Sequence, residues 1–152
     1  MSFARALSRR TMLRTAGVGF AVAALPAAAW ATAADVEAEF KKVFAGKTAK
    51  EGKIKLDLPS IAENGLVVPL NFEVESPMTP DNYVKVVHIF SEGNPNPLVA
   101  AFHFTPMIPK AAAQIRIRLA ESQNVVAYAE MSNGEVYVAK KEVKVTIGGC
   151  GG

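Results

Sequence analysis

The sequence predicts an all-β protein, an immunoglobulin-like antiparallel β-sandwich with a short N-terminal helix and a flexible C-terminal glycine-cysteine arm. Three observations lead to this fold class. Apolar and polar residues alternate with period two through most of the chain beyond residue 53, the pattern of strands with one wet face. Turn-forming runs of Pro, Asn and Gly separate the alternating segments at the spacing typical of a sandwich. The length of 152 residues fits a single domain.

Residues 1–33 have the organisation of an export signal. Four arginines and no acidic residue precede an apolar run over 15–29, and Ala31-Thr32-Ala33 forms a small-x-small cleavage site. The apolar run is shorter than the ~20 residues that a membrane-spanning helix needs, so no membrane anchor is expected in the mature chain. Arg9 and Arg10 resemble the paired arginines of the twin-arginine signal; an ordinary secretory signal is the alternative. Both predict export, so we expect a periplasmic protein.

One helix is predicted, over residues 34–45. Val36, Phe40, Val43 and Phe44 fall on one helical face, and Gly46 ends the segment. The predicted strands follow, at 53–58, 66–75, 83–90, 98–104, 114–119, 125–131 and 135–147, the last counted as one strand or two. The sequence Ser132-Asn133-Gly134 predicts a hairpin in which both central residues take positive φ. The folded domain therefore covers 34–147.

The distribution of charge excludes nucleic-acid binding as a first hypothesis. The chain has a formal charge of +3, but its first 33 residues contribute four arginines. The other 119 residues carry 13 basic and 14 acidic side chains. They therefore lack the net positive charge that binding to a phosphate backbone requires. A single cysteine also excludes an internal disulfide and zinc sites built from four cysteines.

Candidate residues for chemistry are few, and each also has a structural explanation. His88 and His103 are the only histidines; they are either structural or surface residues, or members of a metal or acid–base site. Arg116 and Arg118 share the polar face of one strand. This face is either simply solvated or a patch that binds an anion or a partner protein. No nucleophile triad, phosphate loop or carboxylate pair is singled out by spacing, so no catalytic residue is predicted.

The methionines provide one further alternative. Met78, Met107 and Met131 could form a soft Cu(I) site with Cys150. Their spacing is irregular, which favours gap-filling in the core. We therefore predict neither a metal site nor a cofactor.

The C-terminus carries the most specific signal. The chain ends in Gly148-Gly149-Cys150-Gly151-Gly152 directly after a strand. Four glycines leave almost no side-chain bulk around the only cysteine, so residues 148–152 are predicted to form a thin arm with an accessible thiol. No basic residue neighbours Cys150 in sequence, so activation of the thiol must come from the site that receives the arm.

These features together resemble the SoxY family, the sulfur carriers of the bacterial Sox thiosulfate-oxidising system. The resemblance rests on the export signal, the strand-rich domain, the segment 114–125 and the terminal Gly-Gly-Cys-Gly-Gly. It implies a heterodimer with SoxZ and a sulfur substrate joined covalently to Cys150 by the haem c enzyme SoxAX. It further implies that the adduct is presented to the hydrolase SoxB and, where present, to SoxCD.

Two other classes of function remain open. Ubiquitin-like sulfur carriers also end in Gly-Gly but use the terminal carboxylate, after activation by ATP; export argues against that chemistry here. A non-covalent periplasmic binding or copper-handling β-sandwich would not need the arm at all.

Overall fold

The computed structural model describes residues 30–148, which form one helix and nine strands. The helix α1 spans Ala33–Phe44. The strands are β1 Ala49–Glu51, β2 Ile54–Asp57, β3 Ile61–Asn64, β4 Val68–Val74, β5 Val84–Ser91, β6 Leu98–His103, β7 Ala111–Ile117, β8 Gln123–Met131 and β9 Val136–Ile147. The predicted export signal before residue 30 and the end of the arm after residue 148 lie outside the described residues.

The strands form two sheets packed face to face, which confirms the predicted immunoglobulin-like sandwich. The larger sheet has the order β1-β9-β8-β5-β6, with β3 also on β9, and the smaller has the order β2-β4-β7. One feature departs from a purely antiparallel sandwich, because β1 and β3 both run parallel to β9. The chain pairs with one half of β9, crosses to the small sheet as β2, and returns to the other half as β3.

The core lies between the sheets and follows the predicted alternation. Val68, Leu70, Phe72 and Val74 of β4 are buried, while the residues between them are exposed or half-buried. They pack in one cluster with apolar residues of β5, β7, β8 and β9. Strands β1 and β3 were not predicted, since three or four residues are too few to display a period. The segment 135–147 is a single strand.

The helix begins one residue earlier than predicted because Thr32 caps it. The Thr32 side chain accepts from the Asp35 amide, and the Asp35 carboxylate accepts from the Thr32 amide at 2.7 Å, a complete capping box. Val36 and Phe44 are buried against the outer face of the large sheet, whereas Val43 is exposed. The first ordered turn therefore includes Thr32 and Ala33 of the predicted cleavage site.

The hairpin between β8 and β9 is present, but its turn differs from the prediction. Gly134 has φ +86°, whereas Asn133 is not among the residues of positive φ. The Gly134 amide donates to Met131 O at 3.0 Å, and the Met131 amide donates to Glu135 O at 2.9 Å. The loop is therefore a three-residue connection, a type I turn followed by a left-handed glycine, which needs positive φ at one position only.

Candidate functional site

The root of the C-terminal arm, Ile147 and Gly148, is held at one end of the sandwich. The Gly65 amide donates to Ile147 O at 2.8 Å, and Gly65 O in turn accepts from the Leu119 amide at 2.8 Å. Gly65 thus joins the end of β9 in the large sheet to Leu119, which follows β7 of the small sheet. The arm leaves from a point that both sheets determine.

Gly148 lies directly against the loop 118–122 that connects β7 to β8. A Cβ atom at Gly148 would overlap the carbonyl oxygen of Ala120, and a backbone oxygen cannot turn aside as a side chain can. Gly148 has no positive φ that would call for glycine. The first glycine of the arm therefore has a steric role inside the fold, which the sequence interpretation, based on flexibility and thinness, did not include.

Two buried carboxamides fix the loop on which Gly148 rests. Asn94 donates through Nδ2 to Arg118 O at 2.8 Å and accepts at Oδ1 from the Ala120 amide at 3.0 Å. Gln123 donates through Nε2 to the same Asn94 oxygen at 3.0 Å and accepts from the Gly93 amide at 2.9 Å. Because both side chains are buried, breaking this network would leave unpaired polar groups, at a cost of about 1–3 kcal/mol each.

Ser122 ties the other end of the same loop to β9. Its Oγ accepts from the Val145 amide at 2.8 Å. The loop 118–122 is thus attached both to the turn that contains Asn94 and to the strand that leads into the arm. Sequence reasoning missed Gly65, Asn94, Ser122 and Gln123, because they resemble ordinary turn residues until the fold brings them together.

Cys150, Gly149, Gly151 and Gly152 lie outside the described residues, so their predicted roles remain predictions. What the structure adds is their point of attachment. Cys150 is two residues from Gly148, which limits the separation of the two Cα atoms to about 7 Å.

His88 lies beneath the C-terminal end of α1, within an aromatic cluster. Its ring makes an edge contact with Phe44 at 5.4 Å between centroids and stacks near Phe90 at 6.0 Å. Partial burial is the main cause that lowers the pKa of His88; the nearby His103 lowers it further, and Glu130 opposes the shift. His103 is exposed on the neighbouring strand β6.

The other candidates are spread across the molecule. Arg116 and Arg118 are exposed on and just after the edge strand β7, and neither has a carboxylate partner within residues 30–148. Met78 and Met131 are buried in the core, and Met107 is exposed. Strand β8 is nine residues long and places Met131 about 26 Å from the end of the sandwich at which the arm begins. This distance favours packing over a copper site shared by Met131 and Cys150.

Two negative findings apply to the described part of the chain. No group of three or more His, Cys, Asp or Glu residues within 30–148 is arranged to hold a metal ion. No helix in this region has the length and apolar character needed to cross a membrane.

Comparison with known families decides the assignment. The model of the sulfur oxidation protein SoxY matches residues 40–150, which include all nine strands of the sandwich and Cys150 itself. The chain belongs to the SoxY family. Comparison with curated proteins found no match.

Solved structures agree with this family and with the fold. The sulfur carrier protein SoxY from Chlorobium limicola is 31% identical with a TM-score of 0.65, over 76% of this chain and all of that one. A superoxide reductase from Ignicoccus hospitalis has a TM-score of 0.55 at 19% identity, over 76% of this chain and 94% of that one. At that identity the second likeness shows the fold alone. Family and first neighbour together support a carrier role in sulfur oxidation.

Proposed function

We propose that this protein is a covalent sulfur-substrate carrier of periplasmic thiosulfate oxidation, which holds pathway intermediates on Cys150 and presents them to partner enzymes. The observation that carries the proposal is the extent of the family match, which runs through the sandwich and ends at Cys150. The geometry of the root supports it, because β9 delivers the arm to one end of the molecule.

The chemistry follows from a thiol and thiosulfate. Joining the Cys150 sulfur to the outer sulfur of thiosulfate forms one S–S bond, releases the thiol proton to solvent and leaves two electrons, which the haem c of SoxAX would take up one at a time. Attack of water on the sulfonate sulfur would then release sulfate and leave a persulfide on Cys150, a hydrolysis that suits the hydrolase SoxB. The carrier supplies the attachment point and the position, and exchange chemistry of this kind is reversible at sulfur.

The partners proposed are SoxZ as a stable heterodimer and SoxAX, SoxB and, where it is present, SoxCD as transient complexes. The folded domain would bind SoxZ and leave the arm free. The carrier needs no cofactor of its own, and the twin-arginine route would export the heterodimer already folded, with SoxZ as a passenger.

Intact-mass spectrometry tests the covalent role. With thiosulfate and the partner enzymes, the wild-type protein should gain the mass of a reducible thiosulfate unit, and Cys150→Ser should gain nothing and support no turnover. A variant that lacks Gly151 and Gly152 serves as the matched control, because it moves the terminal carboxylate and keeps the thiol. Turnover by Cys150→Ser together with loss of activity on removal of the two glycines would favour a carboxylate carrier and refute the proposal.

A further inference from the structure

Three exposed apolar residues lie in the arm root or directly follow Gly65, the residue that bonds to it. Leu66, Val67 and Ile147, which we call the collar, are 43%, 56% and 68% exposed. Ile147 is the residue whose carbonyl accepts from Gly65, and Leu66 and Val67 directly follow Gly65 in the chain. The collar is therefore placed by the same hydrogen bonds that hold the root.

The short reach of the arm forces this surface into contact with any enzyme that acts on Cys150. The Cα of Cys150 lies at most about 7 Å from that of Gly148. The hydrogen bond from Gly65 fixes the carbonyl of Ile147, the residue before Gly148, so the reach of the arm is set by the few residues after Ile147. An active site that encloses the Cys150 sulfur must bring its entrance up to the root, and the collar is then removed from water.

We propose that the collar is the docking surface for the enzymes that process sulfur bound to Cys150, and that it packs against an apolar rim around the entrance of each active site. This inference rests on the proposed carrier function. Apolar contact suits a shared surface because it is non-directional and contributes through the area buried, so one collar can meet different enzymes.

The size of the collar fits transient contacts. A stable interface buries about 1,600 Å² in total, far more than three partly exposed side chains can supply. A permanent partner on the collar would also occupy the space that an enzyme needs in order to enclose an arm this short. The stable partner therefore binds elsewhere on the sandwich.

The test measures processing of the sulfur-loaded heterodimer by its hydrolase, for wild type and for the double variant Leu66→Ser/Val67→Ser. Met107→Ser is the matched control, since Met107 is 91% exposed in the β6–β7 connection at the opposite end of the sandwich. Loss of apolar contact at the collar should lower kcat/KM about tenfold, chiefly through KM. The control should behave as wild type, and the reaction of Cys150 with a small thiol reagent should be unchanged in both.

Each outcome is decisive for the collar. If the double variant had the wild-type kcat/KM while Cys150→Ser was inactive, the docking proposal would be wrong and the carrier function would stand. Loss of the stable heterodimer, or of a dimer of this chain, on gel filtration would show that the collar belongs to that interface and would also overturn the proposal. Val67→Thr, which keeps the branched shape, replaces the double variant if the latter does not fold. Activity in Cys150→Ser would instead refute the carrier function itself.

Discussion

At the scale of single residues, Gly148 shows that the glycines of the arm are not equivalent. Its position against the Ala120 carbonyl leaves no room for a Cβ, whereas the sequence offers only conformational freedom and thinness as reasons for all four glycines. Steric exclusion depends on a residue 28 positions earlier in the chain, so no local pattern contains it.

Gly148→Ala should therefore disturb the fold locally, which Gly149→Ala should not. To accommodate the methyl group, the root must move away from Ala120 and strain the Gly65–Ile147 hydrogen bond, at a cost of about 1 kcal/mol in the free energy of unfolding. Chemical denaturation and the amide resonances of Gly65 and Ala120 measure the effect. Equal stability and unshifted resonances in the two variants would contradict the steric role.

At the scale of elements, α1 covers one patch of the large sheet and determines the environment of His88. Phe44 and Val36 of the helix are buried, and Phe44 contacts the His88 ring. The strand pattern places His88 on a face with apolar residues, but a strand alone does not show what covers that face. The helix supplies the cover, and partial burial disfavours the charged imidazolium.

The lowered pKa of His88 predicts a loss of stability at acid pH. The unfolded chain binds a proton near the ordinary histidine pKa of 6.5, while the folded chain binds it only at lower pH. The unfolded state thus holds more protons in that interval, so the free energy of unfolding falls as the pH drops below 6.5. His88→Phe should flatten this dependence in denaturation curves between pH 7 and 5.

His103→Gln is the matched control for that measurement, because it removes only the smaller, electrostatic contribution to the shift. Most of the pH dependence should persist in this variant. If the pH dependence of the free energy of unfolding disappeared in His103→Gln and persisted in His88→Phe, it would arise from His103, and the role given to His88 would be wrong.

At the scale of the whole molecule, the sandwich offers a stable partner edge strands that are distinct from β9, the strand that leads into the arm. The sheet orders leave β6 and β7 as edge strands within the described residues, and Leu98, Phe102, Ile115 and Arg118 line a cleft of about 410 Å³ between them. Unpaired edges of this kind are competent for association. The arm root lies at the end of β9, three strands from β6 in the large sheet, and it meets the cleft only where Asn94 and Arg118 hold the loop 118–122.

A chain truncated after Ile147 should bind SoxZ with unchanged affinity and lose all sulfur-carrying activity. Removal of the five residues beyond β9 should alter the free energy of unfolding by no more than about 0.5 kcal/mol. Calorimetric titration of SoxZ with the full-length and truncated chains measures the affinity. If truncation abolished binding, the arm would be part of the stable interface and the use of other strands by the stable partner would be wrong.

The sequence by itself determined the properties that depend on near neighbours. The period-two pattern of β4 identifies its buried face, the run 34–45 predicts α1 to within one residue, and the glycines around Cys150 predict the arm. The tertiary structure alone decided what depends on distant segments, because β1 and β3 are ordered by pairing with β9 rather than by any pattern of their own. The same holds for the arm root, because the contacts of Gly65 with Ile147, of Asn94 with Ala120 and of Ala120 with Gly148 join segments that are distant in the chain and adjacent only in the folded sandwich.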